Sequence, residues 1–190
     1  MSSTSRTDAS EWILPDADSA IDRIAIATYG GAGIPVPAED LLRSRLPVDQ
    51  MPWPFAVDAL MIWHQGTPSR VLIKSRPAAY QRRVRMTFAH ELGHVVIPWH
   101  VGYGAESCDS DVEDRAGGDY VRTQESEARN FAGRLLLPFT ELKRAAAGRS
   151  LQDFFDDLDR FEASAWATAM RLTQVLRPGF VLTGNFRDQS

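Results

Sequence analysis

The apolar positions along this chain switch between two periods, and the switches mark out its elements. Ala20, Ile21, Ile24, Ala25 and Ala27 recur at three- and four-residue intervals, which predicts a helix over 19–29. Gly30-Gly31-Ala32-Gly33 ends it, since glycine tolerates the left-handed C-terminal cap. A short helix is expected around 38–45 after Pro35 and Pro37, and Pro47, Pro52 and Pro54 mark a loop. The runs AVDALMIWH (56–64) and RVLIK (70–74) then read as strands. The turn residues Gln65-Gly66-Thr67-Pro68 join them into a hairpin. Helical spacing returns with Val84, Phe88, Leu92, Val95 and Val96, in a helix that can start at Pro77 and must stop at Pro98.

Residues 102–121 are rich in Gly, Asp, Glu and Ser and read as a long acidic surface loop. Helical patterning follows over 125–137, closed by Pro138, and over 142–147, ended by Gly148. Ser150 and Ser164 stand as N-caps of two more helices, one containing Leu151, Phe154, Phe155 and Leu158, the other Trp166, Met170, Leu172 and Val175. Pro178-Gly179 turns the chain into a last strand over 180–183. The pattern predicts an α+β fold: a small antiparallel sheet packed on the 77–97 helix, with a mainly helical C-terminal half. The expected organisation is a flexible segment over 1–18 and one domain over 19–190, divided into a core (19–138) that carries the candidate chemistry and a helical part (139–190).

Composition narrows the class. The chain has 190 residues, is 44% hydrophobic and 24% charged, and carries a formal net charge of −4, with no bulk basic footprint for nucleic acid. One cysteine, Cys108, excludes an intramolecular disulfide and suits a reducing compartment. The polar N-terminus lacks an apolar signal stretch, and no apolar run approaches the roughly 20 residues that span a bilayer, so cytoplasmic residence is expected.

The candidate chemistry lies on the 77–97 helix, in His90-Glu91-Leu92-Gly93-His94. Residues four apart share one helical face, so His90 and His94 can hold one zinc ion between them. Glu91, beside the first histidine, can serve as the general base that takes a proton from the attacking water and delivers it to a leaving amine. This is the division of labour in H-E-x-x-H. Such a site needs a third protein ligand and one open position. Glu106, Cys108, Asp109, His100, Glu125 and Glu127 are the downstream candidates. Glu125 and Glu127 head a predicted amphipathic helix that can hold a carboxylate rigidly, and either fits physically.

The stretches RMTFAHELGHVVIP (85–98) and ESEARNFAGRLLLP (125–138) together resemble the ImmA/IrrE family of short metallopeptidases. The resemblance extends over roughly 20–176 and includes the upstream hairpin and the segment 164–172. It implies a gluzincin-like zinc site with His90 and His94 as helix ligands and Glu91 as general base. Aligning Ala128 and Phe131-Ala132 with the family motif gives the third-ligand role to Glu125 rather than Glu127. It also implies a protein substrate, a DNA-binding transcriptional repressor in mobile-element or stress-response control. One position departs from the pattern. The family carries Asn or Asp where this chain has Arg129, and a cation cannot accept a hydrogen bond from a ligating imidazole. Asn130 or a group from elsewhere must then orient that ring.

Other residues read as structural. His100 is expected to be a surface or loop histidine and His64 a strand-end residue. Tyr103 and Tyr120 could donate to an oxyanion but are expected to pack. Arg82, Arg83 and Arg85 are expected to pair with neighbouring carboxylates on a solvated face, and the 163–175 helix to pack on the core rather than bind DNA. The alternative to a peptidase is a metal-stabilised regulatory module that sequesters a protein partner without cleaving it.

Overall fold

The computed structural model describes residues 8–14, 19–102, 104–108 and 118–177. Its helices are α1 (Ala20–Tyr29), α2 (Ala38–Arg43), α3 (Gln81–Val96), α4 (Gly118–Leu136), α5 (Phe139–Ala146), α6 (Leu151–Asp157) and α7 (Ala165–Val175). Its strands are β1 (Val48–Met51), β2 (Ala59–His64), β3 (Thr67–Lys74) and β4 (Gly104–Cys108). The α+β class and the helical C-terminal half stand as the pattern predicts.

The caps follow from their residues. Ser19 and Asp22 form a reciprocal capping box on α1, and Gly30 closes that helix at φ 52°. Ser150 and Ser164 accept from the third backbone N–H of α6 and α7. The β2–β3 hairpin turns on Gln65 and Gly66, both at positive φ, the two-residue turn whose twist suits a hairpin.

The sheet is mixed rather than purely antiparallel. Its order is β1-β3-β2-β4, with β1 parallel to β3 and the other pairings antiparallel. β1 lies in what reads as a proline-marked loop. It has four residues between Pro47 and Pro52, and its stability comes from pairing Val48–Met51 against Val71–Lys74. Its short length and flanking prolines are also what protects an edge strand from stray pairing. Part of the expected acidic loop is likewise ordered: Gly104–Cys108 pair with Ala59–Trp63 as the opposite edge, and α4 already begins at Gly118. The strand expected at 180–183 lies outside the described residues.

Within the segment expected to be flexible, Ala9–Trp12 form a 3-10 helix capped by Asp8. Ala9 is buried and its N–H donates to Arg149, while Ile13 bridges to Leu176. That segment is tied to the C-terminal helices by backbone bonds that no local pattern announces.

One core joins the layers. Ala59, Met61 and Trp63 of β2 and Val71 and Ile73 of β3 point to its buried face. Phe88 and Leu92 of α3 meet Phe131, Leu135 and Leu136 of α4 in the same cluster. α3 thus lies between the sheet and α4 as the central element.

Candidate metal centre

Two helices build the site. On α3, the residues buried toward the core are Val84, Phe88, Ala89, Glu91 and Leu92, and His94 is buried with them. On α4, Ala128, Phe131, Ala132 and Leu135 are fully buried, and Glu125 shares their face at one-turn spacing. Gly93 sets how closely the helices approach. A Cβ there would lie 3.1 Å from the Ala128 Cα and 3.1 Å from the Phe131 ring, tighter than ordinary packing allows. The glycine in the motif therefore lets the α4 backbone sit directly against α3, with Glu125 one turn from the contact.

The result is a triangle of residues in which Glu125 turns one carboxylate oxygen to each imidazole. His94 Nε2 lies 3.2 Å from His90 Nε2 and 3.3 Å from Glu125 Oε1, and His90 Nε2 lies 3.1 Å from Glu125 Oε2. These three residues are the group that could hold a metal ion among the described residues. The fit can be tested on edge lengths. Zinc bonds of about 2.0–2.1 Å in a tetrahedron give ligand-to-ligand edges of about 3.3–3.4 Å, close to the 3.2 Å between the two ring nitrogens and the 3.3 Å from His94 Nε2 to Glu125 Oε1, while the contact to His90 is made by the other carboxylate oxygen. Burial raises the Glu125 carboxyl, but hydrogen bonds and charge from both imidazoles outweigh it and hold that group well below the usual carboxylate range. Glu91 is wholly buried on the same helix.

Glu127 does not join the triangle. At 100° per residue, a position two beyond Glu125 points about 200° around α4, so one helix cannot aim both carboxylates at one point. Nor are these residues at the head of their helix, since α4 begins seven residues before Glu125, at Gly118. Glu127 Oε2 instead lies 3.0 Å from His100 Nε2 and accepts from Trp99 Nε1 at 2.7 Å.

His100 departs most from expectation. It is buried, and its Nδ1 lies 3.0 Å from His94 Nδ1. Burial and the neighbouring His94 push it down to about 4, against the pull of Glu127, so it is neutral at pH 7. The signal for this was Pro98, which ends α3 and lets the chain fold back, as the His100 N–H bond to the Ile97 carbonyl shows. Of the remaining candidates, Glu106 and Cys108 belong to β4, while Tyr103 and Asp109 lie outside the described residues. Tyr120 donates to the Trp99 carbonyl at 2.7 Å, which ties the start of α4 to the chain after α3.

Arg129 lines a cleft between α4 and α7 with Met86, Asn130 and Trp166. Asn130 accepts from Gln174 at 3.1 Å and so is engaged with α7. Arg82, Arg83 and Arg85 pair with Asp159, Asp58 and Glu162. Arg171 is buried and donates to the Leu137 carbonyl, which makes α7 a packing helix. No helix among the described residues is long and apolar enough to cross a membrane.

The curated proteins contain no match to this chain. A family model described as the IrrE N-terminal-like domain, a peptidase family, matches residues 54–173, well over half the chain. That span runs from just before β2 into α7 and includes every residue of the triangle. The chain therefore belongs to the ImmA/IrrE family of metallopeptidase-type proteins.

Proposed function

We propose that this protein is a zinc-dependent endopeptidase that cuts a protein substrate at a specific site. The observation that carries this reading is the His90–His94–Glu125 cluster, in which two ring nitrogens 3.2 Å apart face one carboxylate and the three residues lie close enough to share one ion. Two imidazoles and one carboxylate are a donor set that zinc accepts well, and three protein ligands leave one position for the reaction. His90, His94 and Glu125 would hold the ion, which when bound would supply a Lewis acid for the substrate carbonyl and for the attacking water.

The chain's own residues supply the rest. Glu91 follows His90 on α3, where its carboxylate takes the proton from the attacking water and returns it to the leaving amine. Its burial shields that transfer from bulk solvent. The substrate class we favour is a DNA-binding transcriptional repressor, in mobile-element or stress-response control, as the family resemblance suggests. Cytoplasmic residence, suited to a chain with one cysteine, belongs to the same reading.

The test compares the zinc-loaded wild type with Glu91→Gln in host-cell lysate, labelling newly formed protein N-termini. Glu91→Gln should keep its metal and cut about 10²–10⁴-fold more slowly. Equal cutting by both forms removes Glu91 from the role of base. No cutting by the wild type, with one lysate protein retained intact by it, favours the sequestering module. Arg129, in place of the family's Asn or Asp, is the feature that keeps that second reading in view.

A further inference from the structure

The triangle leaves one question open at His94. A ligating imidazole needs its far nitrogen protonated and held, so that the near nitrogen presents a lone pair to the metal. At His94 the far nitrogen, Nδ1, faces His100 Nδ1 at 3.0 Å.

We propose that His100 and Glu127 take this role, as a two-step positioning relay behind His94. The proton positions follow from the contacts. A carboxylate only accepts, so the His100 Nε2 facing Glu127 at 3.0 Å carries the hydrogen. A histidine that binds a metal through Nε2 carries its hydrogen on Nδ1, so the nitrogen of His100 that faces it, Nδ1, is bare. His94 Nδ1 donates to it across 3.0 Å. His94 Nε2 is left without a proton, and that atom points at His90 and Glu125. The bonds of the relay agree with one another, and together they leave a lone pair where the metal belongs.

The relay is also held in place. His100 is buried, and Trp99 Nε1 gives Glu127 a second donor at 2.7 Å. The order of the chain accounts for its parts. Pro98 turns the backbone at the end of α3, so that the residue two beyond it lies behind the second helical histidine. Glu127 is available because its place on α4 keeps it away from the triangle that Glu125 completes.

This inference rests on the metal-site reading above, and its test separates the two. Zinc affinity is measured by competition with a chromogenic chelator for the wild type, His100→Leu, Glu127→Leu and Glu127→Gln. The glutamine keeps an acceptor for His100, whereas leucine does not. Both leucine variants should bind zinc about 10–100-fold more weakly, with Glu127→Gln close to the wild type. Nitrogen-15 spectra of the zinc-loaded forms give a second readout: His94 should carry its proton on Nδ1 in the wild type and in Glu127→Gln. Leucine variants that remain folded with wild-type zinc affinity would overturn the relay and leave the metal site standing. So would a His94 Nδ1 without a proton in the loaded wild type. A wild type that takes up no zinc would overturn the metal site itself, and the relay with it.

Discussion

At the residue scale, the site depends on a side chain that is missing as much as on those present. Gly93 lies where α3 and α4 touch, and an added Cβ meets the Ala128 backbone and the Phe131 ring at 3.1 Å. Gly93→Ala gains about 1 kcal/mol of helix propensity, but overpacking costs about 1–3 kcal/mol. The neighbour that must yield is backbone, so α4 shifts and carries Glu125 with it. Since ligands must be held within about 0.5 Å of their working geometry, zinc affinity should fall by roughly 3–30-fold. Chelator competition reads this directly, and an unchanged affinity would show that the close approach does not set the triangle. The pairing of His90 with His94 on one helical face was legible in the chain, because four-residue spacing on a helix is a local property. Helical geometry shows that Glu125 and Glu127, about 160° apart around the helix, cannot both face one point, while the preference for Glu125 came from the family resemblance. His100 was not legible, because its burial depends on where the chain runs after Pro98, and that is a tertiary fact.

At the element scale, the register of α4 on its neighbours keeps Glu125 aimed at α3. Asp22 of α1 pairs with Arg134 of α4 and also accepts from Ser19 in the capping box. Burial raises the Asp22 carboxyl, but the bonds from Ser19 and Arg134 outweigh it and hold it below its ordinary value of 3.8. A depressed carboxylate contributes stability that is fully present above 3.8 and is lost as pH falls through its lower folded value. Asp22→Asn removes that contribution and leaves Arg134 without its carboxylate, at a cost of about 3 kcal/mol near neutral pH. Thermal melts from pH 7 down to pH 2 should show this gap narrow below about pH 4. A gap that stays constant into acid would mean that the pair contributes nothing through its charge. Helices with strong periodicity or a serine cap were readable at this scale. β1 and β4 were not, because short edge strands acquire their structure from the partner they pair with rather than from their own residues.

At the scale of the whole molecule, α3, the chain just after it and α4 converge on the candidate metal site. Metal binding and folding are then linked, since an ion that binds only the folded chain stabilises it by mass action. At a free zinc concentration of about 1,000 times Kd the gain is about 4 kcal/mol. For a chain of this size that corresponds to a rise in Tm of roughly 8–16 °C. Chelation should lower Tm by that amount and zinc should restore it, whereas a Tm indifferent to both would contradict the linkage. The fold class was visible in the sequence because it follows from periodicity. The parallel pairing of β1 and the docking of residues 8–14 on the C-terminal helices were not, since both join segments far apart in the chain.

The central claim is that His90, His94 and Glu125 hold one zinc ion between α3 and α4. Elemental analysis of the purified chain, beside His94→Ala and Glu125→Ala, tests it most directly. The account predicts about one zinc per wild-type chain and loss of that zinc in both variants. Zinc retained in Glu125→Ala, or a wild type that takes up none when zinc is supplied, would contradict it.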